Sequence, residues 1–138
     1  MPMTEKRFPA RLEELEGVQS FIGEVLETFD CSMKSQMQIE IAVEEIFVNI
    51  ARYAYDPAQG GDVLIRCGAE GEPCQAVIQF VDRGVPFDPL AKEDADVTLS
   101  AEERKIGGLG ILMVKKTMDG MEYQYEDGKN VLTLRKCI

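Results

Sequence analysis

Helical periodicity over the first half of the chain is the feature that most limits how this sequence can fold. Within residues 12–29 the apolar side chains recur at intervals of three and four, so they form one stripe along an α-helix. A second, longer helix is expected to begin at a cap supplied by Ser32 or Ser35 and to end near Tyr55, ahead of a proline. Two amphipathic helices in succession must cover an apolar surface that the rest of the chain supplies.

The remaining hydrophobic pattern predicts that this surface is a β-sheet. Alternation with a period of two is typical of strands, and the glycine-rich and Asp-Gly segments between the alternating stretches are typical of turns. The order of elements predicts an α+β protein, a two-layer sandwich with helices on one face of a mostly antiparallel sheet, forming a single domain over residues 1–138. The expected strands are 6–10, 63–68, 75–82, 121–126 and 131–135, and a third helix is expected at 111–118.

The composition argues against several kinds of partner. The formal net charge is −10 and the pI is about 4.5, so the field of the protein repels polyanions, and neither nucleic acid nor an anionic membrane is expected as a direct partner. No apolar run approaches the roughly 20 residues of a membrane span, and the N-terminus lacks the apolar region of a signal peptide. We therefore expect a cytoplasmic protein.

The chain contains no histidine, which removes several catalytic chemistries. Serine or cysteine nucleophiles that depend on a histidine base are excluded, and the cysteines are too scattered for a zinc site of the usual Cys/His kind. If acid or base chemistry occurs here, a carboxylate must carry it. The four cysteines, expected to be reduced thiols, are Cys31, Cys67, Cys74 and Cys137.

The second predicted helix carries a glutamate and an asparagine at one border of its buried stripe. Asn49 lies about 80° from the centre of that stripe and Glu45 about 40° further round, and their spacing of four brings the two side chains together. One interpretation is the polar flank of a core helix. The other is a metal site, since a buried amide needs partners and an amide oxygen is a suitable magnesium ligand. The stripe itself is expected to contain Ile39, Val43, Ile46, Ile50 and Tyr53.

A second candidate feature is the segment VDRGVPFDP, residues 81–89. Asp82 ends a strand, and Gly84 follows two residues later, so the carboxylate is expected to face space that the missing side chain leaves open. An ionised aspartate only accepts hydrogen bonds, and the exocyclic amino group of adenine is a donor, so Asp82 suits the selection of adenine over guanine. The alternative is an Asx turn after the strand.

The third feature is the segment KIGGLGI, residues 105–111. Its glycines leave backbone amides free to approach an anion, and the predicted helix that follows directs its positive end to the same place. The segment lacks the lysine and hydroxyl residue of a Walker A loop, and a flexible hinge is an equal interpretation. Residues 88–106, just before it, are polar and acidic and are expected to form a mobile lid.

Taken in order, these three features resemble the N, G1 and G2 boxes of the GHKL superfamily, whose members share the Bergerat, or histidine-kinase-like, ATP-binding fold. More narrowly, the chain resembles the anti-sigma factor serine kinases, single-domain bacterial regulators. The resemblance covers nearly the whole chain, from the first strand to the closing NVLTLRK. Each box alone is loose, and the specificity comes from their order.

The resemblance implies roles for individual residues. Asn49 is expected to hold magnesium, Glu45 to act as general base, Asp82 to bind adenine and Gly84 to clear space for the base. Tyr53 departs from the family, because many members have histidine there, so any role for this position stays open. The expected triphosphate contacts are Gly107, Gly108, Leu109 and Gly110, with Lys105 or Arg104 either neutralising the γ-phosphate or remaining a solvated loop charge.

The function that the resemblance implies is an ATP- and magnesium-dependent protein serine/threonine kinase. Such a protein phosphorylates a STAS-domain antagonist and, in its other state, sequesters a sigma factor. The alternatives are a nucleotide-binding partner-switching module that transfers no phosphate, and a weak ATPase. The resemblance also implies a homodimer, formed through the open face of the sheet or through the first helix.

Overall fold

A computed structural model of the chain describes residues 3–56, 58–71, 74–86 and 108–138. Within these ranges no helix is long and apolar enough to cross a membrane. The elements are β1 (Thr4–Pro9), a short 3-10 helix (Leu12–Glu14), α1 (Leu15–Glu27), α2 (Met33–Tyr53), β2 (Asp62–Glu70), β3 (Gln75–Asp82), α3 (Gly108–Thr117), β4 (Gly120–Glu126) and β5 (Lys129–Cys137).

The predicted α+β architecture is confirmed. The five strands form one antiparallel sheet in the order β1-β2-β3-β5-β4, and the helices cover one of its faces. The core between the two layers contains side chains from α1 and α2 and from the inward positions of the strands. The opposite face carries a polar row that crosses the sheet, in which Arg66 bonds Glu5 at 2.8 Å and Gln79 bonds Thr133 at 3.1 Å.

Alternation along β3 places a carboxyl group at the end of the apolar core. The inward positions of this strand are buried, and Asp82 takes the last of them. In the register of the sheet Asp82 lies between Val63 of β2 and Asn130 of β5. Both Asp82 and Asn130 are 5% exposed, so two polar side chains lie together where the hydrophobic core ends.

Helix α2 begins as predicted and differs from the prediction at its other end. The Ser32 hydroxyl caps the helix by accepting a hydrogen bond from the Ser35 amide at 3.1 Å. Ile39, Val43 and Ile46 are buried as expected. Tyr53 is 41% exposed, which corrects its assignment to the buried stripe. The reason is that the last turns of α2 border a cavity, described below, rather than the packed core.

Two further boundaries differ from the sequence prediction. Helix α3 begins at Gly108 rather than at residue 111, so Gly108 and Gly110 belong to its first turn. In the last hairpin the turn consists of Asp127 and Gly128, both with positive φ, and β5 already includes Lys129 and Asn130. The second correction matters most for the site, because it makes Asn130 a strand residue with a fixed direction.

Candidate functional site

Glu45 and Asn49 form a hydrogen-bonded pair on α2. The Asn49 Nδ2 group donates to the backbone oxygen of Glu45 at 2.8 Å and to its Oε1 atom at 2.9 Å. The spacing of four therefore brings the two side chains together as predicted. With Nδ2 used in this way, Asn49 Oδ1 accepts no hydrogen bond within the described part of the chain, so it is the group available to a cation.

The first turn of α3 lies against this pair. A Cβ atom built on Gly110 would overlap the carboxyl group of Glu45, with its carbon and both oxygens as the three nearest heavy atoms. The contact places the glycine-rich segment beside Glu45. The first turn of α3, where backbone amides carry partial positive charge, therefore lies next to the carboxylate.

Asp82 is held by two donors that use the same oxygen. Its Oδ1 atom accepts hydrogen bonds from the Gly84 amide at 2.9 Å and from the Asn130 side chain at 3.0 Å. The first of these is the bond of an Asx turn, so that interpretation of the segment is confirmed, and the binding role of Asp82 stays a prediction. Burial raises the pKa of Asp82, and the hydrogen bonds from Asn130 and Gly84 oppose that rise.

Gly84 requires a correction. We expected its missing side chain to leave open space beside Asp82, but a Cβ atom at this position would overlap the backbone carbonyl of Ala54 at the end of α2. The amide of Val85 donates to the same carbonyl oxygen at 2.9 Å. The glycine thus allows the segment after β3 to dock on α2, which holds Asp82 close to the end of that helix.

A cavity lies between the last turns of α2 and the sheet and joins these residues. Asn49 and Asp82 both line it, and Ile111 of α3 forms part of its wall. The cavity is open to solvent and has a volume of about 50 Å³, with the exposed side chains of Tyr53 and Val85 among its lining. Apolar walls with a few fixed polar groups are the usual lining of a site for a flat organic ligand.

Two polar residues that line this cavity were not predicted as site residues from the sequence. Asn130 lines it and donates to Asp82, and Tyr123 of β4 donates its hydroxyl hydrogen to Asn130 Oδ1. The sequence does contain a signal for Asn130. Leu132 and Leu134 are buried, and because side chains alternate along a strand, residue 130 lies on the same inward face. The Asp-Gly-Lys-Asn sequence instead suggested a turn.

Several predicted site residues lie outside the part of the chain that the structure describes. They are Arg104, Lys105 and Gly107, together with the predicted lid at 88–106. Gly108 and Leu109 belong to the first turn of α3. Among the described residues there is no group of three or more acidic or cysteine side chains that would hold a metal ion, and all four cysteines are free thiols.

Comparison with known proteins identifies relatives over most of the chain. A family model described as "Histidine kinase-like ATPase domain" matches residues 8–136. The serine-protein kinase RsbW of Listeria monocytogenes is 26% identical over 98 residues, which are 68% of this chain and 61% of that protein. The serine-protein kinase RsbW of Bacillus velezensis is 23% identical over 129 residues, covering 92% of this chain and 81% of the relative.

A solved structure has the same fold. The crystal structure of the RsbU and RsbW domains of Rv1364c from Mycobacterium tuberculosis superposes with a TM-score of 0.69 and 14% sequence identity. The superposition covers 99% of this chain and 32% of that one. The chain thus spans about three fifths of the Listeria relative and one third of the mycobacterial protein.

Proposed function

Since the chain belongs to the histidine kinase-like ATPase domain family, we propose that it is an ATP-dependent protein serine/threonine kinase that acts as an anti-sigma factor. Its substrate is a STAS-type antagonist protein. One observation carries the proposal. The Glu45 carboxylate is hydrogen-bonded to Asn49 and packed against Gly110, so the candidate base, the candidate cation ligand and the first turn of α3 lie together.

The nucleotide base is assigned to the cavity that Asp82 lines. Oδ1 of this carboxylate is already bonded twice, which leaves Oδ2 to accept a hydrogen bond from a ligand. The amino group of adenine is a suitable donor, and the apolar walls suit the faces of the ring. Gly84 contributes indirectly, by allowing the segment that follows Asp82 to dock on α2.

The residues present fit a magnesium ion held jointly with a nucleotide. Asn49 Oδ1 has no hydrogen-bond partner in the described ranges, and it is a neutral oxygen of the kind that magnesium accepts beside phosphates and water. Asn49 is the ligand that we assign to it. When bound, magnesium would supply positive charge that neutralises the phosphate oxygens during transfer.

Glu45 is the proposed general base. It takes the proton from a serine or threonine hydroxyl of the partner as that oxygen forms a bond to the γ-phosphorus of ATP and the bond to the ADP oxygen breaks. Asn49 orients the carboxylate through its bond to Oε1. The backbone amides at the start of α3 lie where negative charge on the phosphate can be stabilised.

We further propose that the protein works in the cytoplasm, with the STAS antagonist and a sigma factor as alternating partners. We also propose that it is a homodimer, formed through the open face of the sheet or through α1. The net charge of −10 supports protein partners over nucleic acid or an anionic membrane.

The experiment that tests the proposal is a transfer reaction. The chain is incubated with labelled ATP, magnesium and each STAS-domain protein encoded near its gene, and the partners are examined for phosphoserine or phosphothreonine. Label on a partner hydroxyl is the expected result. Binding of ATP with no transfer to any of these partners would favour a nucleotide-dependent interaction module. Release of free phosphate at the same rate with and without partner would favour an ATPase.

A further inference from the structure

A buried amide fixes the orientation of the candidate base-reading carboxylate. Asn130 lies directly opposite Asp82 in the register of β3 and β5 and is 5% exposed. Its Nδ2 group donates to Asp82 Oδ1 at 3.0 Å and to the backbone oxygen of Val85 at 2.9 Å, with a longer contact of 3.4 Å to the oxygen of Gly84. The amide therefore ties together the strand end and the segment after it.

The chemistry of these partners determines which way the Asn130 amide points. The oxygens of Asp82, Gly84 and Val85 that lie near Nδ2 are acceptors, so the amino side of the amide faces them. The carbonyl side then faces Tyr123, whose hydroxyl donates to Asn130 Oδ1. Reversing the amide would turn its oxygen toward the Asp82 carboxylate, which is repulsive. Tyr123 thus completes a chain of hydrogen bonds that runs from β4 through β5 to β3.

This chain of bonds determines what Asp82 offers to a ligand. Two donors hold Oδ1, so Oδ2 is the remaining acceptor in a residue that lines the cavity. An acceptor there matches the amino group of adenine and repels the carbonyl oxygen that guanine carries at the corresponding position. A protonated Asp82 would instead offer a donor, which guanine accepts. Selectivity therefore requires both the orientation and the ionised state.

We propose that Asn130, held in turn by Tyr123, is a positioning residue that fixes the Asp82 carboxylate with Oδ2 toward the cavity and so sets the preference of the site for adenine over guanine. The inference rests on the proposed function, because it takes the cavity to be the site of the nucleotide base. It adds a determinant of specificity on β5 that acts by orienting Asp82.

The protonation of Asp82 provides an independent readout. Burial raises the pKa of Asp82, and the hydrogen bond from Asn130 is the larger of the two that lower it. Loss of that bond should therefore raise the pKa of Asp82. As the pH is lowered, Asp82 would then be protonated, and ATP binding would weaken, at a higher pH. The other ionisable side chains that line a cavity together with Asp82 come from every neighbouring element, and the variants below change only Tyr123 among them. They are Arg7, Tyr53, Tyr55, Asp62, Arg83, Tyr123 and Lys129.

The test compares the affinities of the full chain for ATP and GTP, measured by calorimetry in magnesium between pH 5 and 8. Asn130→Leu preserves the approximate side-chain volume and removes the hydrogen bonds, and it is expected to reduce the ATP:GTP preference about tenfold. As the pH is lowered, the ATP affinity of this variant is expected to begin to fall at a higher pH than that of the wild type. Tyr123→Phe removes one hydroxyl and is expected to have the same effects with a smaller amplitude, about threefold.

A matched control separates positioning from loss of stability. Thr133→Val removes a hydrogen bond from a buried side chain of the same strand, on the face opposite the cavity, and should leave the ATP:GTP ratio and the pH profile unchanged. Thermal unfolding identifies which variants are folded, and Tyr123→Phe carries the test if Asn130→Leu is not. A folded variant with the wild-type ratio and pH profile would overturn the inference alone. Failure of the wild type to bind either nucleotide would overturn the proposed function and the inference with it.

Discussion

Gly110 in the first turn of α3 lies so close to the carboxyl group of Glu45 on α2 that no side chain fits between them. This contact joins two segments that are far apart in the sequence. It gives a reason for glycine, a residue with poor helix propensity, at position 110 within the helix. The position also fixes the distance between the positive end of α3 and the candidate base.

Gly110→Ala should disrupt this contact. The added methyl group overlaps the Glu45 carboxyl group, so α3 must shift or Glu45 must turn away from its bond with Asn49. Because the added methyl group meets only the flexible end of a glutamate side chain, and alanine favours the helix, we expect the free energy of unfolding to stay within about 1 kcal/mol of the wild type. We also expect weaker ATP binding and slower phosphotransfer. Urea denaturation and nucleotide titration measure the two effects.

The control for this variant is a second helical glycine. Gly23 lies within α1, and the nearest atom to a Cβ built there is the Gln36 amide nitrogen at 3.9 Å, an ordinary contact distance. Gly23→Ala is therefore expected to raise the free energy of unfolding by about 0.5–1 kcal/mol, with ATP binding unchanged. If Gly110→Ala bound ATP as well as Gly23→Ala does, the contact between Gly110 and Glu45 would not be needed for nucleotide binding.

Glu45→Gln should separate chemistry from binding. Glutamine has nearly the same shape and keeps an oxygen that can accept the hydrogen bond from Asn49, but it cannot take a proton. We expect the rate of phosphotransfer to fall by about 10²–10⁴-fold, with ATP affinity within about threefold of the wild type. Transfer of labelled phosphate and nucleotide titration are the measurements.

Glu44→Gln provides the matched control, since Glu44 is the preceding residue of the same helix and is exposed. It makes the same change of charge without touching Asn49 or Gly110, so phosphotransfer should continue at the wild-type rate. If Glu45→Gln also transfers phosphate normally, Glu45 is not the base.

Local patterns were sufficient to predict the fold and part of the site. The periodicity of α1 and α2, a serine cap at Ser32 or Ser35 and the succession of strands along the chain followed from residue spacing and turn composition, because each depends on neighbours in the chain. The pairing of Glu45 with Asn49 was predicted for the same reason, since a spacing of four on a helix brings two side chains together.

The residues that were missed depend on contacts between distant segments. The contact between Gly110 of α3 and Glu45 of α2 joins segments far apart in the chain, so neither helix propensity nor periodicity records it. The role of Asn130 follows from the register between β5 and β3, and the turn-like sequence before it concealed this role. Gly84 was read as open space because only the tertiary structure shows Ala54 beside it.

Asn49→Ala should uncouple nucleotide binding from magnesium. The substitution removes the amide oxygen that has no partner among the described residues, and with it the one protein ligand that we assign to the ion. Wild-type affinity for ATP should fall when magnesium is replaced by EDTA. The factor by which magnesium increases the affinity for ATP should be at least about tenfold smaller in the variant than in the wild type. An equal magnesium effect in both proteins would contradict the assignment of Asn49 as a ligand.

Asp82→Asn should stabilise the protein while impairing its recognition of ATP. Because burial raises the pKa of Asp82 in the folded state, the folded chain holds this proton more tightly than the unfolded chain, so the free energy of unfolding falls as pH rises through the folded-state pKa. Asparagine removes that cost and keeps an oxygen to accept from Gly84 and Asn130. At pH 7 we expect a gain of about 1 kcal/mol.

The stability gain of Asp82→Asn should shrink as pH falls below the folded-state pKa, where the wild-type carboxyl group is also neutral. Urea denaturation at several pH values measures this change. With its oxygen facing Gly84 and Asn130, the new amide turns its amino group to the cavity, a donor where adenine needs an acceptor. ATP affinity should therefore fall at least about tenfold, and GTP should bind relatively better. A variant that is less stable at pH 7 and still prefers ATP would show that Asp82 supports the fold rather than reading the base.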